Sequence, residues 1–382
     1  MVQDMAESQF YKQLQEGISR WLKFGEKSGF TELESATVVL SSVLGKRSEN
    51  QDRAIFLRVK FEKSRKPSIA ALVLCDGMGG MVKGGECANL AISTFAASLV
   101  HSNASTLIKK LEVGIQDANE AVYNAFQGKG GATLSAVICN ETKDWAAVNV
   151  GDSRIYCVLN SGVVEQLTID DTLEKQLAAL NLPSPPPEFR QLLQYVGMGE
   201  GIEPRRVELK PSSDMKWLLI TSDGAHGIPE NIFHSLVSYA ESPREVVSRL
   251  TALSEWLGGK DNSTVAALTL GKDLFSRNEE SDLSSLEIWS IPGKVEFFSI
   301  KASPTDSLPD KSLNTPDANA SGVEEPLKQE KIPRQKKQPK IKNQDNAQKI
   351  EFTGVNSNKT NGDKGEVEKP VPQLNIEFSE EN

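Results

Sequence analysis

The stretch Val73-Leu74-Cys75-Asp76-Gly77-Met78-Gly79-Gly80 constrains this chain more than any other. Residues 69–75 form a continuous apolar run, the pattern of a core strand. Asp76 stands at its end, and Gly77, Gly79, Gly80, Gly84 and Gly85 follow. Backbone without Cβ atoms can adopt positive φ and approach another group closely. Ala88, Leu90, Ala91, Phe95 and Ala96 then continue as an apolar helical face. A carboxylate at the mouth of a rigid strand, beside bare backbone, is suited to hold a hard cation. Asp-Gly is also ordinary turn chemistry, so this stretch alone leaves both readings open.

A length of 382 residues suggests about two domains, or one with long appendages. Hydrophobic residues are 38% and charged residues 25%, which fits a normal core diluted by a polar segment. The net charge of −9 argues against a binder of polyanions such as nucleic acid. No apolar run is long enough to span a bilayer. The start, MVQDMAESQF, has neither a basic n-region nor an apolar h-region, so no secretory signal is read there. Cys75, Cys87, Cys139 and Cys157 form no Cys-x-x-Cys pair, and three of them lie in strand-like runs. They read as reduced core residues, and a cytoplasmic location is the expectation.

In chain order, Phe10, Leu14, Ile18, Trp21 and Leu22 fall at helical spacing, so residues 9–24 read as an amphipathic helix packed on the main domain. Residues 37–44 and 54–61 read as strands flanking Gly45-Lys46-Arg47-Ser48-Glu49-Asn50-Gln51-Asp52. Helices are expected over 85–100 and 105–127, and a strand over 134–139. Residues 145–150 and 155–159 read as a hairpin with Asp152 at its tip. A β pattern continues over 164–169, a helix is expected over 171–180, and prolines break it at 183–187. A short helix is expected over 189–196, then strands over 207–209 and 217–220. Helices near 230–239 and 243–257 precede a last strand over 265–270.

The resulting division is an N-terminal extension over 1–35, a main domain over 36–272, a short apolar-containing linker over 273–300 and a polar tail over 301–382. The tail is too poor in large apolar residues to fold alone. It reads as a solvated spacer; its basic stretch, with Arg334, Lys336, Lys337, Lys340 and Lys342, and its acidic end also suit an electrostatic docking arm.

Asp76, Asp152, Asp223 and Asp261 each sit where a strand meets a turn, and Asp52 sits at the start of a strand. Strand ends are rigid, which is what a metal site needs of its ligands. Carboxylates without nearby His or Cys select Mg or Mn over zinc. Two such ions roughly 3.5–4 Å apart can activate a bridging water and clamp a phosphoryl group. A bidentate arginine would bind the phosphate oxygens, and Arg47 is the candidate. Against this, any one Asp could be a turn or cap residue, and Arg47 a surface ion-pair partner.

Six motifs stand together: Arg47-Ser48-Glu49-Asn50-Gln51-Asp52, Asp76-Gly77-Met78-Gly79-Gly80, Gly130-Gly131-Ala132-Thr133, Gly151-Asp152-Ser153-Arg154, Ser222-Asp223-Gly224 and Asp261-Asn262-Ser263-Thr264. In this order the set resembles that of the metal-dependent protein phosphatases of type 2C, most of all the bacterial branch, over residues 37–270. The resemblance implies an α+β fold of two packed antiparallel β-sheets flanked by helices, a four-layer α-β-β-α sandwich. It implies a phosphoric monoester hydrolase that acts on phosphoserine and phosphothreonine in proteins with Mn2+ or Mg2+. Asp76 would ligate both metals and the Gly77 carbonyl one of them, Asp223 and Asp261 would hold the other, and Asp52 would support the first through waters. Asp152, with Asp223, would hold a weaker third ion. Arg47 would bind the substrate phosphate, and a metal-bridging hydroxide would attack phosphorus directly. Phosphoprotein substrates, an opposing Ser/Thr kinase and a monomeric state go with this reading, and nucleic acid and membrane do not.

The chain departs from the family in places. Gln51 stands where many members carry Glu, and Met78 where animal enzymes carry a His proposed as general acid. Asp170-Asp171-Thr172 replaces the usual Asp-His before the flap, and the flap region, 182–188, is rich in proline. His226 reads as a structural residue. Two other classes of function remain at this stage: a catalytically weak phosphatase fold that senses or scaffolds phosphoproteins, and a regulatory protein that works through its tail. Inactive versions usually lose a metal aspartate, whereas every one is present here.

Overall fold

In the computed structural model, residues 2–25, 27–33, 37–61, 67–81, 83–183, 191–275 and 285–298 are described. Contacts divide the chain into Met1–Leu308 and Pro309–Asn382, and every described residue lies in the first unit. The expected tail, most of the proline-rich flap segment and the loop 62–66 lie outside the described residues.

The elements run α1 (Val2–Leu22), β1 (Gly29–Glu32), β2 (Val38–Val43), β3 (Arg53–Lys60), β4 (Ile69–Cys75), α2 (Gly84–His101) and α3 (Leu107–Phe126). They continue with β5 (Leu134–Asn140), β6 (Trp145–Val150), β7 (Arg154–Leu159), β8 (Val164–Gln166), α4 (Leu173–Ala179), β9 (Arg205–Val207) and β10 (Met215–Thr221). The last are α5 (Asp223–His226), α6 (Glu230–Ser238), α7 (Pro243–Trp256), β11 (Ser263–Thr269), β12 (Ser285–Ser290) and β13 (Gly293–Phe298).

Two antiparallel sheets result, with strand orders β1-β2-β11-β10-β7-β8 and β13-β12-β3-β4-β5-β6-β9. Strand β4 shows why they stack. Its side chains alternate with period two, yet all seven residues are buried. Ala70, Leu72 and Leu74 enter the core between the sheets, with Leu40, Phe56, Ile155, Leu218 and Leu268. Ile69, Ala71, Val73 and Cys75 face the other way, onto Ile92, Phe95, Ile115 and Leu14, Ile18 and Leu22 of α1. On the outer face of the six-stranded sheet, Val246, Val247 and Leu250 of α7 and Phe233 and Val237 of α6 cover Val39, Leu219 and Val265. Burial of each such side chain contributes about 1.5–3 kcal/mol, so three apolar layers hold a helix-sheet-sheet-helix stack. The four cysteines are free and buried, as their sequence context requires.

Three expectations are corrected. Residues 145–159 are not a hairpin: β6 pairs with β5 and β9 in one sheet, and β7 pairs with β10 and β8 in the other. Alternation records which side chains are inward, and Ala147 and Ile155 enter the same core from opposite sheets. The turn at 151–153 therefore crosses between sheets. The short helix expected over 189–196 is absent among its described residues. There the backbone satisfies itself against distant partners, with Leu193 N–H donating to the Asp171 carbonyl and Val196 pairing with Ala132. The linker expected over 273–300 contains β12 and β13, because Leu286 and Ile288 are buried and β12 pairs with β3 along the sheet edge. Strand β1, unforeseen in the N-terminal extension, pairs with β2.

Candidate metal centre

Strand register alone gathers the acidic residues at one end of the sandwich. Arg53 pairs with Cys75, so Asp52 and Asp76 lie side by side just beyond that pair. Thr221 pairs with both Val265 and Arg154, which brings Asp223 toward the 261–263 turn and the 151–153 crossing. Four strand ends from two sheets thus converge on one mouth.

Hydrogen bonds lock the loops that carry them. Asp76 N–H donates to Thr133 Oγ1 at 3.0 Å, and Thr133 N–H returns a bond to the Asp76 carbonyl at 2.8 Å. Gly77 N–H donates to the Gln51 carbonyl at 3.2 Å. Asn262 is the hub of the neighbouring loop. Its Oδ1 accepts from Gln51 N–H at 2.9 Å, and its Nδ2 donates to the carbonyls of Leu44 and Glu49 at 2.9 and 3.0 Å. Asn50 Nδ2 donates to Ser42 Oγ at 2.7 Å, and its Oδ1 accepts from Asp52 N–H at 3.1 Å.

The electrostatics follow from this crowding. Burial pushes the Asp76 carboxyl well above the usual carboxylate range, and Asp52, Asp223, Asp152 and Asp261 push it further. Asp152 is pushed up to about 7, by burial first and then by Asp223 and Asp170. Asp52 is raised by burial although the Ser222 hydroxyl donates to its Oδ2. Asp223 is raised by burial and by Asp261, but much of its surface is open to solvent, so its shift is the softer one. Asp52 Oδ1 is buried without a hydrogen-bond partner.

Arg47 is the cation beside this group. Its Nη2 donates to Asp261 Oδ2 at 2.6 Å and its Nε to the Lys260 carbonyl at 3.2 Å. Gly79 leaves room for it, since a Cβ there would stand 2.8 Å from Arg47 Nη1. Gln51 Oε1 lies at the same glycine turn, 3.0 Å from where that Cβ would be.

Asp52, Asp76, Gly77, Asp152, Asp223, Asp261 and Arg47 are thus all at one mouth. Among the described residues, no three His, Cys, Asp or Glu side chains already surround a single point as formed metal ligands. The donor set still fits hard divalent cations: mutually repelling carboxylates, one of them with an orphaned buried oxygen, and no His or Cys among them. His226 takes no part. It is buried, its Nδ1 is 2.8 Å from Thr221 Oγ1, and burial and Arg154 hold its ring neutral.

Sequence reasoning gave Asn50, Asn262, Ser222 and Thr264 no role, although all four lie in the motifs quoted. A side-chain amide or hydroxyl flanking a motif aspartate was the available signal. Nothing in the sequence pointed to Arg205, which pairs with Asp171.

The family model for protein phosphatase 2C matches residues 42–268. A putative protein phosphatase 2C-type of Streptococcus pyogenes is 31% identical over 241 residues, spanning 58% of this chain and 92% of the relative. The protein phosphatase PhpP of Streptococcus pneumoniae is 25% identical over 252 residues, spanning 62% of this chain and 97% of the relative. Among solved structures, the PPM Ser-Thr phosphatase MsPP from Mycobacterium smegmatis, in complex with cacodylate, superposes with a TM-score of 0.51 at 25% identity, over 63% of this chain and 100% of that one. The serine/threonine phosphatase Stp1 from Staphylococcus aureus gives 0.52 at 25% identity, over 64% and 98%. Among the described residues, no helix is long and apolar enough to cross a membrane.

Proposed function

Because the chain belongs to the protein phosphatase 2C family, and is thereby a metal-dependent protein serine/threonine phosphatase, we propose that its acidic mouth holds the metals and Arg47 the substrate phosphate. Asp76, the Gly77 carbonyl, Asp223 and Asp261 would hold two ions, Mn2+ or Mg2+, with Asp52 in support. Asp152 would join Asp223 at a weaker third. Bound divalent cations supply a nucleophile from water at neutral pH and neutralise phosphoryl charge.

The observation that carries this reading is the convergence of Asp52, Asp76, Asp152 and Asp223 on one mouth, where burial first and then neighbouring carboxylates raise these four carboxyls. Such a cluster costs stability unless cations compensate it. The chain's own part is to keep these carboxylates in place and ionised when cations are present. Arg47 offers a planar fork to two phosphate oxygens. Asn262 and Asn50 hold the loop that carries Arg47 and Asp52. The mycobacterial phosphatase that this chain resembles forms a complex with cacodylate, a tetrahedral oxyanion. Phosphoproteins are the substrates; an opposing Ser/Thr kinase and a monomeric state belong to the same proposal.

The test is turnover of a phosphoserine or phosphothreonine peptide with Mn2+ added and then chelated. Activity should vanish in EDTA and return with Mn2+. Asp76→Asn and Asp223→Asn should each lose at least about a hundredfold in rate, as expected when a key electrostatic stabiliser is removed. Undiminished turnover in EDTA, or in either variant, refutes the assignment.

A further inference from the structure

Asp170 and Asp171 are adjacent and both buried, yet they serve different partners. Asp170 takes a forked ion pair from Arg154, with Nη2 to Oδ2 at 2.7 Å and Nε to Oδ1 at 2.9 Å. Asp171 points to the 151–153 crossing instead. Its Oδ2 accepts from Gly151 N–H at 3.1 Å, and its own N–H donates to the Gly151 carbonyl at 2.9 Å. Its Oδ1 accepts from Arg205 Nε and, at 3.4 Å, from Gln194 Nε2. Its carbonyl accepts from Leu193 N–H at 2.7 Å.

Gly151 is the joint that needs such a clamp. It has φ +101°, and it immediately precedes Asp152. A glycine there has the widest backbone freedom of any residue, so both sides of its peptide must be tied for Asp152 to keep one direction. Asp171 ties both, through its carboxylate and its amide. Asn149 Nδ2 adds a third tie to the Gly151 carbonyl at 3.1 Å. Arg205, whose side chain is 46% exposed, in turn closes the other oxygen of a carboxylate that is itself fully covered.

We propose that Asp171 is a positioning residue for Asp152, clamping the Gly151 joint, and that Arg205 holds Asp171 in that role. The link to metal binding rests on the phosphatase reading above. The clamp itself does not, and it is read separately.

The experiment uses the full chain carrying Arg205→Gln, a half-exposed substitution that leaves the core intact. Asp171→Asn is the second variant; it keeps the shape and removes the charge. In metal-free protein, amide exchange at Gly151 should quicken about tenfold while the helical amides of α2 and α3 keep their rates. Calorimetric titration with Mn2+ should then show weakening of about tenfold, the usual effect of losing a partner that orients a ligand. It should fall on the same class of site that Asp152→Asn weakens. Arg205→Lys should restore part of both effects. Unchanged exchange at Gly151 in both variants overturns the clamp. So does uniform quickening across the core, which marks a merely structural role. Weakening of sites that Asp152→Asn leaves alone overturns the positioning of Asp152. Failure of wild-type protein to bind Mn2+ would instead refute the phosphatase reading and leave the exchange result to decide the clamp.

Discussion

The Ser222 hydroxyl donates to Asp52 Oδ2 at 2.8 Å and accepts from Thr264 N–H at 2.9 Å. Asp52 opens a strand of one sheet, whereas Ser222 and Thr264 belong to the other, so one buried hydroxyl joins the sheets at the acidic mouth. Asp52 Oδ1 has no hydrogen-bond partner, which leaves its partner oxygen dependent on this donor. Removing one partner of a buried pair costs about 1–3 kcal/mol. Ser222→Ala should therefore lower the stability of the metal-free protein by that amount in urea unfolding, while Ser222→Thr loses less. An unchanged midpoint in Ser222→Ala would show that Asp52 does not lean on this contact.

Arg47 and Gly79 make a paired prediction. Lysine cannot reproduce a bidentate fork, so Arg47→Ala should raise KM for a phosphopeptide and Arg47→Lys should recover only part of it. A Cβ at Gly79 would meet only the far end of the Arg47 side chain and the Gln51 amide oxygen, both of which can move aside. Gly79→Ala should therefore raise KM in the same direction with the melting temperature little changed. If all three variants keep the wild-type KM, Arg47 is a surface residue bound to Asp261 and nothing more.

His226 sets a pH dependence. Its ring is buried and its pKa is held well below the ordinary 6.5, by burial first and then by Arg154. The folded site therefore stays unprotonated where the unfolded chain takes up a proton. Stability from this residue is fully present above about 6.5 and drains away as pH falls toward the depressed folded value. The acidic cluster titrates in the opposite sense, so the comparison must be made against His226→Gln, in which every carboxyl is retained. The melting temperature of the wild type minus that of the variant should hold from pH 7.5 to about 6.5 and shrink from there to pH 5.5. A constant difference would mean that the ring takes its proton in the folded state.

What could be read from the sequence was whatever is local. Residues 69–75 declared their strand by an unbroken apolar run, and the glycines after Asp76 declared a turn. The motif aspartates were legible because each stands at the end of a periodic run. Which sheet a strand joins is not local. Trp145–Val150 and Arg154–Leu159 alternate alike, and only their partners place them in different sheets. The same limit hid the clamp at Gly151, since Asp171 and Arg205 are 34 residues apart and meet only through the fold. Residues 191–196 read as helix from Leu192, Leu193, Tyr195 and Val196, but so short an apolar stretch has no period that separates helix from extended chain, and its backbone bonds lie far away in sequence.

The edge of the seven-stranded sheet gives the last prediction. Strand β12 pairs with β3 from Ser285↔Lys60 to Trp289↔Phe56, and β13 closes the edge beyond it. Ile288 is fully buried, and the Trp289 and Phe56 rings lie 5.6 Å apart. Phe297 of β13 also fills the space over Gly17 of α1, where an added Cβ would come within 3.1 Å of its ring. A chain cut after residue 272, the boundary that composition suggested, would expose the β3 edge, the Phe56 face and part of the α1 seat at once. Two apolar side chains lost from such a layer remove about 3–6 kcal/mol, a large share of a domain's net stability. A chain ending at 272 should therefore melt well below one ending at 300, or fail to fold, whereas the one ending at 300 retains both strands. Equal melting temperatures for the two would mean that the hairpin lies on the sheet without supporting it.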